Sequence, residues 1–338
     1  RSAATGRTTK GRCDSSGTRT EVRAMDGMET RHVSVILPTH NRLALLKKAL
    51  ASVERQEYKS YSVVLIVDGS SDGTVEFARE ESLREHFPGI PAFEIIVNEQ
   101  PRGAAASRNL GMARSRGDFI AFLDDDDTWA PHYLGHVVGF LGKHPGASAC
   151  YAAHLQEGEH GEMSLADTRP LFEHAHPLVE LLTESPIHSM SVFSCRRSVF
   201  ETLGGMDEST SVVHDWEWYA RIVLSGGEIL PCGEEPLVRR AGPGGLVTAH
   251  RDWYAEEREV IDGVAAREEA VAHARRHILA YRSLFFARLA LRRGDHSFAL
   301  ARLAESLWRA PLYSVRVAHH RLRRNRQLAK RATLKTEQ

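Results

Sequence analysis

Four consecutive carboxylates, Asp124 to Asp127, follow the apolar run from Phe119 to Leu123 and precede Thr128 and Trp129. Like charges packed at a strand end repel one another unless a cation or a hydrogen-bond network compensates them. A divalent metal is the simplest compensator, because hard cations such as magnesium take oxygen ligands and share them with substrate phosphates; manganese serves as well. The plainer reading of the run is a turn and N-cap ahead of the helix that opens near Pro131. Three further segments carry groups able to bind ligands or move protons: Pro38-Thr-His-Asn-Arg42, Asp68-Gly-Ser-Ser-Asp-Gly-Thr74 and His214-Asp215-Trp216.

These groups need elements to hold them. Val33 to Leu37 is an apolar run ending at Pro38, and Leu43, Leu46, Leu50 and Val53 then recur at helical spacing. The unit repeats as Val63–Val67 with Thr74–Leu83, and as Phe93–Val97 with Ala104–Ala113. Near-continuous apolar strands alternating with helices predict an α/β fold, a mostly parallel sheet covered on both faces. In open sheets of this kind ligands bind at the carboxyl ends of the strands, so the three polar loops converge on one rim. The pattern is mixed after Pro145. From about Arg251 it reads as helices, with a break at Gly294-Asp295 that predicts an antiparallel helix pair.

The motifs form an ordered series: Val33-Ser-Val-Ile-Leu-Pro-Thr-His-Asn-Arg42; Val67-Asp-Gly-Ser-Ser-Asp-Gly-Thr74; Gly103, Ala105, Arg108-Asn109 and Gly111; the acidic run; then Gly204-Gly205-Met206-Asp207-Glu208 and His214-Asp215-Trp216. With this series the chain resembles the inverting glycosyltransferases of family 2, which have the GT-A fold and include bacterial polysaccharide and cellulose-synthase-like enzymes. The resemblance spans roughly residues 33 to 245. It implies that Asp124 and Asp126 bind Mn2+ or Mg2+, and that Pro38, Thr39, Asn41, Arg42, Asp68, Arg108 and Asp125 line the nucleotide. It also implies that Asp215 is the catalytic base, taking the proton of an acceptor hydroxyl as it displaces the nucleoside diphosphate in one step. The donor is then a nucleoside-diphosphate sugar, a UDP-sugar first, with dTDP or GDP as alternatives.

His214 stands where the family usually has Glu; it is read as hydrogen-bonding Asp215, holding it charged, or altering acceptor choice. The weaker acceptor-side expectations are His188, His214 and a sugar-stacking Trp216. The histidine common in the family's closing loop is missing, and Arg239 or Arg240 substitutes for it beside the glycines Gly242, Gly244 and Gly245, a candidate lid.

Three regions follow: a disordered leader over 1–31, the GT-A domain over 32–250, and a helical region with a basic tail over 251–338. Lys plus Arg equal Asp plus Glu at 44 each, which gives no reason to expect nucleic acid. The arginine-rich tail after Leu307, Trp308, Leu312 and Tyr313 reads as a solvated terminal helix or as a peripheral contact with an anionic membrane. Four widely spaced cysteines indicate no disulfide framework, and no apolar run is long enough to span a bilayer, so a cytoplasmic protein is expected. Two other functions fit parts of the pattern. A sugar nucleotidyltransferase would need a glycine-rich, lysine-containing phosphate loop that PTHNR does not supply; an inactive sugar- or partner-binding module would keep the fold without turnover.

Overall fold

The computed structural model describes residues 31–157, 163–165, 176–240 and 250–319. The leader, the glycine-rich segment 241–249 and the basic tail beyond 319 lie outside the described residues, so the expectations placed on them are not addressed by it. In chain order the first half runs β1 (Val33–Thr39), α1 (Leu43–Glu54), β2 (Tyr61–Asp68), α2 (Thr74–Phe77), α3 (Glu80–His86), β3 (Phe93–Asn98), α4 (Ala104–Arg114) and β4 (Phe119–Phe122). β1, β2 and β4 are buried almost throughout, as expected of strands covered on both faces. All pairings among β1 to β4 are parallel.

Register then decides where the loops emerge. Val33 pairs with Tyr61 and with Phe119, so β1, β2 and β4 start level and their carboxyl ends open on one edge. Leu123 extends the ladder by one bond, its N–H donating to the Ile36 carbonyl at 3.0 Å, and the acidic run follows directly beside Leu37 to Thr39.

The second half contains β5 (Asp127–Trp129), α5 (Tyr133–Lys143), β6 (Ala147–Glu157), β7 (Met163–Leu165), α6 (Pro177–Thr183), β8 (Phe193–Arg196), α7 (Arg197–Leu203), α8 (His214–Leu224) and β9 (Glu228–Arg240). The whole forms one mixed sheet in the order β3-β2-β1-β4-β8-β6-β9-β5, with β7 on β6. β8 runs antiparallel to β4, Phe119 opposite Arg196 and Ala121 opposite Ser194, so the residues that lead into β8 arrive at the carboxyl end of β4. β9 is antiparallel to β5, with Asp127 opposite Arg240 and Thr128 opposite Arg239, which brings the end of β9 beside the acidic run.

The C-terminal part is helical as the periodicity indicates: α9 (His250–Ala265), α10 (Glu269–Arg292), α11 (His296–Arg309) and further helix over 311–319. The Gly294-Asp295 break separates α10 from α11, and Asp295 caps α11 by accepting from the Phe298 N–H at 3.2 Å. Among the described residues no helix is long and apolar enough to cross a membrane.

Candidate active site

The carboxyl edge of β1, β2 and β4 gathers the acidic groups, and the chain's own donors meet them. Thr39, at the buried end of β1, donates its hydroxyl to Asp125 at 2.7 Å. Arg42, the N-cap residue of α1, reaches across to Asp125 at 3.2 Å and Asp126 at 2.9 Å. Asn41 supports that reach. It has positive φ, which asparagine tolerates better than most side chains. Its N–H donates to the Ser70 hydroxyl at 3.0 Å and its side-chain oxygen accepts from the Ser71 N–H at 2.7 Å, tying the loop after β1 to the loop after β2. Burial pushes the Asp125 carboxyl up to about 6, against the Thr39 hydrogen bond and Arg42 and with the repulsion of Asp126 and Asp124.

Asp68 also holds a turn in place. Its oxygens accept from the Asn98 side chain at 2.7 Å, from the Arg102 N–H at 2.9 and 3.1 Å, and from the Gly103 N–H at 2.9 Å. Three donors thus tie the buried carboxylate to the turn into α4, which leaves about one of its four acceptor sites for a nucleobase N–H. Gly69 makes the approach feasible. It has φ of 64°, and a Cβ there would sit 2.4 Å from the Pro101 nitrogen.

Helix α4 is the hub of the site. Arg108 is buried; one terminal nitrogen donates to Asp124 at 2.5 Å and the other donates to Nε2 of His214 at 2.8 Å, 106 positions away. Burial alone would lower the Arg108 pKa, but the pair with Asp124 and the nearby Asp215 raise it, so it is a permanent cation. Because guanidinium only donates, Nε2 of His214 must be the accepting nitrogen, which places the imidazole proton on Nδ1. Burial and then Arg108 hold His214 below its ordinary pKa, against Asp215, Asp124 and Glu256. His214 is thus a neutral acceptor for Arg108, and Asp215 follows it at the start of α8, partly exposed and accepting from the Trp216 N–H at 2.7 Å.

The neighbouring Asn109 explains the glycine motif. Its side chain accepts from the Met206 N–H at 2.7 Å and donates to the Met206 carbonyl at 2.9 Å, and a Cβ on Gly205 would meet its oxygen at 2.4 Å.

Two serines missed in the sequence complete the acidic loop. The Asp124 N–H donates to the Ser191 hydroxyl at 2.9 Å, and the Ser189 hydroxyl reaches Asp127 at 3.3 Å and Asp124 at 3.4 Å. The antiparallel β4–β8 pairing puts them there, and the sequence offered no signal beyond two serines after His188. His188 itself is exposed beside this loop, its ring 5.3 Å from that of His154.

Trp216 corrects an expectation. It is 8% exposed, its indole N–H donates to the Leu181 carbonyl at 3.1 Å, and Arg282 lies 5.6 Å from its ring centroid, so it packs between α6 and the C-terminal helices instead of facing a sugar.

Among the described residues no three His, Cys, Asp or Glu side chains converge as a ready-made metal cage. The donor chemistry of Asp124 and Asp126 nevertheless fits magnesium or manganese, which usually complete their oxygen shell with substrate phosphate and water. In this structure Arg108 and Arg42 compensate those carboxylates.

The profile of glycosyl transferase family 2 matches residues 34–204, about half of the chain, and the chain belongs to that family. An uncharacterized glycosyltransferase of Haemophilus influenzae is 26% identical over 191 residues, which are 56% of this chain and 62% of that one. The chain thus spans under two thirds of that relative's length. S. aureus TarS 1–349 in complex with UDP-GlcNAc has the same fold, with a TM-score of 0.57 and 19% identity over 83% of this chain and 82% of that one. So does the mannosyltransferase PcManGT from Pyrobaculum calidifontis in complex with GDP-Man and Mn2+, at a TM-score of 0.54 and 18% identity over 94% of this chain and 91% of that one. The sheet, its helices and the family match together define a member of glycosyl transferase family 2 with the GT-A fold.

Proposed function

We propose that the chain transfers a sugar from a nucleoside diphosphate to a hydroxyl acceptor with inversion at the anomeric carbon, and that it needs Mn2+ or Mg2+. The observation that carries this reading is the Arg108 bridge. One buried guanidinium, ion-paired with Asp124 of the acidic loop, also donates a hydrogen bond to His214 beside Asp215, so the diphosphate end and the base end of a displacement reaction are joined through one side chain.

Asp124 and Asp126 are the residues that would hold the metal, which when bound neutralises charge developing on the departing diphosphate. Thr39 and Arg42 hold Asp125 and Asp126 in place along the nucleotide edge. Arg42 and Arg108 are close enough to that edge to orient phosphate oxygens through their forked donors. Asp68 acts on the nucleotide indirectly, by shaping the turn at Arg102 and Gly103. Asp215 accepts the proton of the acceptor hydroxyl as it attacks, and no covalent intermediate is formed. His188, exposed beside the acidic loop, is assigned to the acceptor side. A UDP-sugar is the first donor to try, because the TarS neighbour holds UDP-GlcNAc, with GDP-mannose second. An acceptor at a membrane surface is consistent with Trp308, 81% exposed, and Leu312, which precede the arginine-rich tail.

The test is a thermal-shift panel of UDP, dTDP, GDP and ADP with and without manganese, since a ligand that binds the folded state raises its stability. A manganese-dependent shift with one nucleotide, lost in Asp126→Ala, is expected. No shift with any of the four would overturn the donor assignment.

A further inference from the structure

Helix α8 begins without a cap of its own: its N-cap residue is Val213, whose side chain has no acceptor. The C-terminal helices provide one. Glu256, on α9, accepts with one oxygen from the Ser211 N–H at 3.0 Å and from the Ser211 hydroxyl at 2.5 Å. Its other oxygen accepts from the N–H groups of Val212 at 2.9 Å and Val213 at 3.2 Å. Four donors on two oxygens fill the carboxylate's acceptor capacity, and negative charge beside a helix N-terminus is favourable. Although burial opposes it, these bonds hold Glu256 below the usual carboxylate range.

The next residue, Glu257, is buried and paired with Arg282 of α10 at 2.6 Å, and Arg282 is the cation beside the Trp216 ring. The backbone just before His214 and the side chain just after Asp215 are therefore both held by the C-terminal helices.

We propose that Glu256 is a positioning residue for the transfer reaction: it fixes the turn into α8, and with it the direction in which His214 and Asp215 meet Arg108 and the bound donor. The inference rests on the reading of Asp215 as the base. It makes α9 and α10 part of the active-site framework and not an accessory to it. Glutamine at 256 preserves size and packing but keeps a single acceptor oxygen, and its amide turns a donor toward Ser211 or toward the two valine N–H groups.

The experiment compares the full chain with Glu256→Gln, Glu256→Ala and Asp215→Asn by hydrogen exchange and by hydrolysis of UDP-GlcNAc and GDP-mannose in manganese. In both Glu256 variants the amides of 211–217 should exchange about tenfold faster while those of β1, β2 and β4 keep their protection. In Glu256→Gln the hydrolytic kcat should fall about fivefold or more toward the Asp215→Asn level, with the donor KM within about twofold, since misorientation slows the step without weakening donor contacts. Unchanged exchange at 211–217, unchanged kcat, or loosening spread across the whole sheet would each overturn the positioning role. Parent-level hydrolysis by Asp215→Asn, or none by the parent itself, would instead count against the base reading, and the exchange result would still decide whether Glu256 holds the turn.

Discussion

The two sides of the site are built differently. On the proposed nucleotide side Asp68, Asp124, Asp125 and Asp126 meet partners within the parallel half of the sheet: Asp68 with the turn into α4, Asp125 with Thr39 and Arg42, Asp126 with Arg42, Asp124 with Arg108. On the base side Asp215 makes no ion pair among the described residues, and its setting comes from afar: Arg108 on α4 for His214, Glu256 on α9 for the residues before it, Leu181 and Arg282 for the residue after it. A group that must bind charge benefits from a preset, compensated frame. A group proposed to accept a proton has to stay accessible, so its geometry is fixed through its neighbours.

The largest expected break in that contrast is Asp215→Asn. It removes the proposed base, so hydrolysis or transfer should fall by about 10²–10⁴. Nucleotide binding in manganese should stay within about twofold, because the nucleotide side is held independently. Parent-level turnover in this variant would move the base elsewhere.

Next in size is Arg108→Ala, which strikes both sides at once. It leaves Asp124 and His214 without their shared cation, and breaking a buried pair from one side costs about 3–5 kcal/mol. At roughly 2–4 °C per kcal/mol for a domain of this size, the melting temperature should drop by roughly 10 °C, and manganese-dependent nucleotide binding should weaken with it. A drop of only a degree or two would mean that the bridge is not a structural joint.

How much of this was legible in the sequence follows the same division. The strands from Val33 to Phe122 announce themselves as apolar runs, and parallel register alone brings their loops together, so Thr39, Arg42 and Asp124 to Asp126 could be placed on one rim. Asp68 was placed there too, but its occupation by Arg102 and Gly103 depends on how closely the following turn folds back, which spacing does not reveal. Trp216 could not be assigned, since two tryptophans at one helix start look alike until α6 and α10 are packed against them. Glu256 was invisible for a plainer reason: α9 carries Asp252, Glu256, Glu257, Glu259 and Asp262, and nothing in the pattern marks which one meets a distant turn.

A double-mutant cycle sharpens the nucleotide side. Thr39→Val keeps the shape of a buried side chain and removes the 2.7 Å hydrogen bond to Asp125. If the frame is a set of paired contacts, Thr39→Val and Asp125→Asn should be non-additive in chemical denaturation by about 1.5 kcal/mol, the scale of a hydrogen bond to a charged acceptor. Additivity within about 0.3 kcal/mol would show that Thr39 contributes only packing there.

The smallest effect expected is on the base side and appears only as pH falls. Burial and Arg108 hold His214 below its ordinary pKa, so the folded chain resists a proton that the unfolded chain accepts once the pH drops below the free imidazole value. Stability is then fully present above that value and declines as pH falls toward the folded pKa, by at most about 1.4 kcal/mol per pH unit for one group. Glutamine at 214 offers Arg108 an amide oxygen in place of Nε2 and does not titrate, so His214→Gln should remove this part of the acid-side slope between about pH 7 and 5 while leaving stability at pH 8 nearly unchanged. The measurement is the melting temperature of parent and variant across that range. Parallel curves would mean that His214 is protonated in the fold. Arg108 would then face a second cation, and the acceptor role assigned to Nε2 would fall with it.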